Sequence, residues 1–194
     1  MKGPDIDTDL LLMKRIAHGE PAAMEELVER FAPRLRLLID RLTAWGADRD
    51  DILQETLLAA WNRAASYRGD GPLEAWLRRL AINQTHRRHR ARRAFTALLD
   101  RFALRKRQES ATESNRLDSS TDEDHHQKTL RKALAKLSPG DRTSLVLFYF
   151  ENMPGSEIAT TLKISTETLH VRLHRARQRL RQLIEKETQD DTQV

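Results

Sequence analysis

Cysteine is absent from the 194 residues, which removes disulfide frameworks, thiolate metal sites and cysteine nucleophiles and suits a reducing cytoplasm. Long apolar runs are missing too. No stretch approaches the ~20 residues of a membrane span, and MKGPDIDTDLLLMK sets acidic residues ahead of a very short apolar run, unlike the basic start and longer apolar core of a secretory signal. A soluble cytoplasmic protein without membrane insertion is expected. Nor does the chain contain a glycine-rich phosphate loop, a GxSxG elbow or paired catalytic carboxylates. No catalytic residue, no cofactor and no small-molecule substrate are therefore expected, and the chain is read as a non-enzyme. His86 and His89, or His170 and His174, could each put two imidazoles on one helix face. Neither pair has a third ligand nearby, and both lie inside arginine runs that repel a further cation, so no metal is expected.

Acidic residues are also missing where basic ones crowd. Net charge is +5, but the excess is concentrated. Between Ala75 and Leu99 there is no Asp or Glu, whereas Arg78, Arg79, Arg87, Arg88, Arg90, Arg92 and Arg93 all fall there. Leu73, Trp76, Leu77, Leu80 and Ala81 recur at i, i+3, i+4, i+7 and i+8, the spacing of one apolar helix face. Arg79, Asn83, His86 and Arg90 form a second stripe about 100° around that helix. An apolar stripe packs inward, so the basic stripe faces outward, where a polyanion is its natural partner.

Upstream, Asp7 or Thr8 can cap a first helix that Gly19 is suited to stop. Pro21 opens a second, which Pro33 is expected to bend or restart before it runs towards Gly46. A third starts near Asp48, with Leu53, Leu57, Ala60 and Ala64 as its inward face and Asp51, Gln54 and Glu55 clustered elsewhere. On spacing alone, ordinary helix-surface charge is the simpler reading of that cluster. Tyr67, Arg68, Gly69, Asp70 and Gly71 then break the helix ahead of Pro72.

From Arg105 to Gln127 the chain has one large aliphatic residue, Leu117, and no aromatic. Such a segment buries too little apolar area to offset the entropy of ordering, so a flexible linker is expected. Beyond it, Leu130, Ala133, Leu134 and Leu137 mark a helix, and Ser138 with Pro139 starts another through Phe150. Ile158, Ala159 and Leu162, a turn at Lys163 to Ser165, and the Leu169, Leu173, Ala176, Leu180 and Leu183 repeat read as a helix-turn-helix. Its second helix presents Thr168, His170, Arg172, Arg175 and Arg179 without any acidic residue up to Leu183. Such side chains suit guanine edges and phosphates, although helical hairpins that bind no DNA share the apolar pattern.

Together, DRDDILQETLLAAWNRAASYRGDGPLEAWLRRLAINQTHRRHR and ALAKLSPGDRTSLVLFYFENMPGSEIATTLKISTETLHVRLHRARQRLRQL resemble regions 2 and 4 of the extracytoplasmic-function (ECF) RNA polymerase sigma factors, in the family's order. The resemblance implies an all-α protein with two small helical domains: residues 1–100 as a region 2 domain, 101–126 as the linker, 127–187 as a region 4 domain and 188–194 as a disordered tail. It implies a factor that binds core RNA polymerase, recognises −10 and −35 elements and promotes melting. By the same resemblance Asp51, Gln54 and Glu55 would dock on the β′ clamp helices, which replaces the surface-charge reading. Region 4 would meet the β flap. The loop Tyr67, Arg68, Gly69, Asp70 with Trp76, Arg79, Asn83, Arg87, Arg88 and Arg90 would meet the −10 element, where a flipped base costs a few kcal/mol of unstacking. Thr168, His170, Val171, Arg172, His174, Arg175 and Arg179 would meet the −35 element. An anti-sigma factor is a further partner the family suggests. Alternatives are a stand-alone helix-turn-helix regulator, or a sigma-like protein that titrates an anti-sigma factor. Two departures stand out: Lys163 occupies the turn position where the family has glycine, which forces an unfavourable positive φ or a different turn, and TETLHVR replaces the usual VGTVKSR, setting Glu167 near phosphates.

Overall fold

The computed structural model describes residues 6–103 and 122–192, with side chains described over 6–96 and 127–189. Among the described residues there are eight α-helices and no strand: α1 (Ile6–Ala17), α2 (Pro21–Thr43), α3 (Arg49–Asn62), α4 (Leu73–Ala103), α5 (Asp122–Lys136), α6 (Pro139–Leu145), α7 (Gly155–Leu162) and α8 (Thr166–Thr192). A 3-10 turn spans Ala64–Ser66 and a π-helical turn Val146–Phe150. Helices α1 to α4 form one lobe and α5 to α8 the other. Residues 104–121, most of the expected linker, lie outside the described residues. Helix α4 runs to Ala103, short of the compositional segment, whereas α5 begins inside it, at Asp122. At the other end, α8 carries the expected tail through Thr192.

The first lobe closes over Leu12, Met13 and Ile16 of α1, Leu27, Phe31, Leu35, Leu38 and Ile39 of α2, and Leu73, Leu77, Leu80 and Ala81 of α4. Each large apolar side chain so buried contributes about 1.5–3 kcal/mol. Pro33 neither ends nor restarts α2, which is continuous from Pro21 to Thr43. Packing of Phe31 and Leu35 on either side outweighs the one lost backbone hydrogen bond. Helix α3 buries the expected Leu53 and Ala60, with Ala64 just beyond it, and adds Ile52 and Thr56, whereas Leu57 is only partly buried and Leu58 is exposed. Thr56 tolerates burial because its hydroxyl donates to the Ile52 carbonyl at 2.7 Å.

In the second lobe, Leu134, Leu137, Leu145, Val146, Leu147, Ile158, Leu169, Leu173 and Ala176 are buried together. Ser138 caps α6, its hydroxyl accepting from the Asp141 N–H at 3.2 Å, and Ser165 caps α8 by accepting from the Thr168 N–H at 3.1 Å. Lys163 does adopt the left-handed conformation, at φ 56°, and ends α7 there. The α7–turn–α8 unit is thus a helix-turn-helix whose turn keeps its geometry with a strained lysine.

The lobes also touch. Helix α2 ends in two successive left-handed residues, Ala44 (φ 52°) and Trp45 (φ 59°). Beside that end lie Arg131 of α5, 4.7 Å above the Trp45 ring, and Arg142 of α6, which donates to the Leu42 carbonyl at 3.1 Å.

Candidate nucleic-acid interface

Helix α4 divides as its apolar period requires. With Leu73, Leu77, Leu80 and Ala81 turned into the core, Arg79, Asn83, Arg87 and Arg90 are exposed in one stripe. Asn83 holds both an acceptor and two donors at the centre of that stripe, the set needed to read a base edge. The loop ahead of α4 is fixed from beneath. The buried Tyr67 hydroxyl donates to the Gly71 carbonyl at 2.7 Å, and its ring meets Trp76 edge-on with centroids 5.8 Å apart. Burial, then the Asp9 and Asp70 carboxylates, push the phenol up from its ordinary value. Gly69 takes φ +76° against Ile6 and Leu10 of α1, which leaves Arg68 and Asp70 outward. Tyr67, expected in the loop that meets the −10 element, is buried and shapes that loop from inside.

Arg88 also departs from its expected role as a phosphate contact. Its guanidinium turns back onto α3, lying 2.6 Å from Asp51, 3.3 Å from Asp48 and 3.4 Å from Glu55. Hydrogen bonding to Asp48 leads the causes that raise its pKa above the ordinary value, with the nearby charges of Asp51 and Glu55 adding to it. Three carboxylates outbid solvent for this cation because a quarter-turn of α4 aims it at the α3 row. Asp51 stays 63% exposed and Glu55 38%, and Gln54 is exposed between them. Gln54 also borders an open apolar groove of about 300 Å³ lined by Met24, Leu53, Leu57, Leu58 and Trp61, with Arg36 and Asp50 at its rim. A carboxylate row beside an apolar groove fits a protein partner with basic and apolar side chains.

On α8, Leu169, Leu173 and Ala176 point inward, leaving Thr168, His170, Val171, His174, Arg175 and Arg179 exposed and Arg172 half-buried. The Arg172 guanidinium packs beside Gly140, where an added Cβ would lie 3.5 Å from Nη1. Glu167 is held well below the usual carboxylate range by hydrogen bonding to its own backbone N–H, then to the Ser165 and Thr166 hydroxyls. Its charge is spent on the positive end of α8. This blunts the repulsion expected between Glu167 and a phosphate.

Two acid-free helical faces on separate lobes, one of them in a helix-turn-helix, are the geometry on which the comparisons bear. The Sigma-70 region 2 model matches residues 27–95, and the Sigma-70, region 4 model matches residues 127–180. Over 184 residues the chain is 32% identical to the ECF RNA polymerase sigma factor SigE of Mycolicibacterium smegmatis, spanning 91% of this chain and 68% of that relative. The chain belongs to the ECF RNA polymerase sigma factors. It is also 28% identical to the RNA polymerase sigma factor CnrH of Cupriavidus metallidurans, over 94% of this chain and 97% of that one. Among solved structures, the fold is similar to the sigma factor RpoE of Bartonella quintana in complex with the anti-sigma factor NepR, with TM-score 0.62, 24% identity, and 83% and 96% of the two chains covered. It is similar as well to CnrH in complex with the cytosolic domain of CnrY, with TM-score 0.59, 25% identity, and 92% and 97% covered.

As an ECF sigma factor the protein directs RNA polymerase to promoters, and its family are transcription regulators. No described helix is long and apolar enough to cross a membrane. Sequence reasoning missed the Arg88 cage and the apolar groove. A signal existed for each. Asp48, Asp51 and Glu55 recur at three and four on α3, which invites a cation from a neighbouring helix, and Leu57 with Leu58 cannot both point into the same core.

Proposed function

We propose that this sigma factor docks on the β′ clamp helices of core polymerase through Asp51, Gln54 and Glu55, with the apolar groove beside Gln54 taking an apolar side chain of the partner. The lobe ending at α4 then reads the −10 element: Asn83 takes a base edge, Arg79, Arg87 and Arg90 hold phosphates, and Trp76 and the Arg68 to Asp70 loop bound the pocket. The helix-turn-helix reads the −35 element through Thr168, His170, Val171, Arg172, His174, Arg175 and Arg179 and approaches the β flap. Melting follows from binding energy placed on the unpaired strand, so no catalytic group of the sigma factor takes part. The functional units are the first lobe to Ala103, the second lobe from Asp122, and the chain between them as the connection. The cytoplasm, where polymerase works, is the site of action.

The observation that carries this reading is the exposed Asn83 set in an acid-free arginine stripe. The solved relatives bound to NepR and to CnrY support an anti-sigma factor as a further partner. Run-off transcription with core polymerase tests the proposal. Asn83→Ala is expected to abolish most open-complex formation, read by permanganate reactivity at the −10 element, with polymerase association unchanged. Asp51→Lys with Glu55→Lys is expected to lose association itself. Unaltered melting by the first variant, or unaltered association by the second, would overturn the corresponding assignment.

A further inference from the structure

None of the docking or reading residues assigned so far belongs to α1, yet the first turn of that helix is the floor of the loop between α3 and α4. Gly69, at φ +76°, rests there: an added Cβ would lie 3.5 Å from Ile6 Cγ2 and 3.7 Å from Leu10 Cδ1. Ile6 is 42% exposed, so what it covers is the loop and not the core. Between the two on the helix sits Asp9, a carboxylate only 2% exposed. Arg30 of α2 neutralises it at 2.7 Å, and is itself braced over the Phe31 ring at 4.8 Å and by Glu26 at 3.8 Å. A second tie holds the other end of α1, where Arg15 lies 3.0 Å from Glu26 and 2.6 Å from Glu20. Beyond Asp9, the buried Leu12, Met13 and Ile16 keep the helix on the core by themselves.

The two halves of α1 therefore do different work. A buried ion pair adds little net stability, because desolvation offsets most of the attraction, but it fixes one geometry. Here that geometry is the rotation of the first turn about the helix axis, which sets Ile6 and Leu10, four residues apart on one face, against Gly69. The loop needs such a template. Its backbone has left the helices and carries a left-handed residue at its centre. Tyr67 closes it by donating to the Gly71 carbonyl at 2.7 Å, and burial, then the Asp9 carboxylate, keep that phenol protonated as a donor. A loop ordered before DNA arrives spares the entropy that ordering would cost at binding, and its shape decides which base the pocket admits. We infer that the first turn of α1 is a working part of −10 recognition: Asp9, pinned by Arg30, sets Ile6 and Leu10 as the floor on which the Arg68 to Asp70 loop takes its base-selecting shape. Asp9, Ile6 and Leu10 are thus positioning residues that act through a loop to which they do not belong. This role deepens the −10 reading above and rests on that loop meeting the DNA.

The test uses the full chain in holoenzyme with core polymerase and a fork-junction DNA library randomised over the −10 bases, the bound members being sequenced. The parent is expected to prefer one base about tenfold at a position that Arg68→Ala with Asp70→Ala flattens, and likewise at a different position that Asn83→Ala flattens. Ile6→Ala with Leu10→Ala is expected to narrow the loop-dependent preference about fivefold, and Asp9→Ala about threefold, while both leave the Asn83-dependent preference as in the parent. Arg30→Ala leaves the Asp9 carboxylate buried and unpaired, so it is expected to narrow the loop-dependent preference further than Asp9→Ala does. Adding Asp9→Ala to it is expected to return the preference to that of Asp9→Ala alone. Ile16→Val weakens the anchored half of α1 instead and is expected to move neither preference, with circular dichroism giving the thermal midpoint of every variant. Loss confined to the loop-dependent position bears out the role of α1. An unchanged preference in the Ile6 and Leu10 pair, equal loss at both positions, or the same loss in Ile16→Val overturns it. If no position responds to Arg68→Ala with Asp70→Ala, the loop's contact with DNA is overturned and the role of α1 with it, while the Asn83-dependent position still reports on the stripe of α4.

Discussion

Helices α4 and α8 carry similar arginine runs without interrupting acids, yet the surroundings use them differently. On α4, Arg78 is taken by Glu74, Glu151 and Glu157, Arg88 by Asp48, Asp51 and Glu55, and Arg92 is shared with Asp48. On α8, neither Arg175 nor Arg179 makes an ion pair among the described residues, and both are exposed. A count of cations along a sequence therefore overstates the phosphate-binding capacity of α4 and not that of α8. The difference lies in the neighbours. Helix α4 packs beside an acidic helix of its own lobe, whereas among the described residues no carboxylate pairs with Arg175 or Arg179 on the outer face of α8.

The strongest challenge to that contrast is to remove the unpaired cations. Arg175→Ala with Arg179→Ala is expected to weaken binding to a −35 duplex by 10-fold or more at physiological salt. The slope of log K against log salt should fall by about two, near one per lost phosphate contact. Titration of the duplex at several salt concentrations checks both numbers. A sharper test compares neighbours on α4. Arg87→Ala is expected to lower the salt slope for −10 DNA by about one, while Arg88→Ala leaves the slope unchanged and instead weakens core polymerase association several-fold, since it unbinds the α3 carboxylates. Equal slopes for the two variants would erase the distinction drawn here.

A smaller effect is expected from pH. Burial, then the charges of Arg90, His89 and Arg172, hold the His86 imidazole below its ordinary value, and burial followed by Arg142, Arg93 and Arg92 does the same for His89. Both rings favour the neutral form when the lobes are together. A base whose pKa is lowered by an interaction supports that interaction fully above its free value, near 6.5, and withdraws support as pH falls below it. Acidification from pH 7.5 to 5.5 is thus expected to lengthen the inter-lobe distance, and His86→Gln to flatten the response. The smallest effect is local. Lys163→Gly should relieve the left-handed turn and stabilise the second lobe by about 0.5–1 kcal/mol, a rise of a few degrees in its thermal midpoint.

Much of this architecture could be read from spacing. The faces of α4 and α8, both serine caps and the left-handed Lys163 follow from local rules that tertiary packing leaves intact. Of the inward set on α3, Leu53, Ala60 and Ala64 are buried and Leu57 is partly buried against the core, while Ile52 and Thr56 join them unannounced, Thr56 because it hides its hydroxyl on its own backbone and so behaves as an apolar residue. Pro33 signals a break by itself, but a break there would pull Phe31 and Leu35 out of register with the core. The roles of Tyr67 and Arg88 depend on what faces them from Gly71 and α3, and the grip of Arg142 on Leu42 joins residues a hundred positions apart. Such long-range pairings leave no periodic trace.

The π-helical turn at Val146–Phe150 holds one more residue than an α-helical turn would. Everything after it is therefore rotated by about 100° relative to an uninterrupted helix, which is what aims Glu151 at Arg41 and Arg78 while Tyr149 faces outward. Deleting a single position within Val146–Phe150 would convert the turn to ordinary helix and swing that carboxylate away by over a quarter of a circle. How the halves of the molecule are phased against each other thus hangs on chain length at one spot, a variable that relatives could alter by indel without changing a charge.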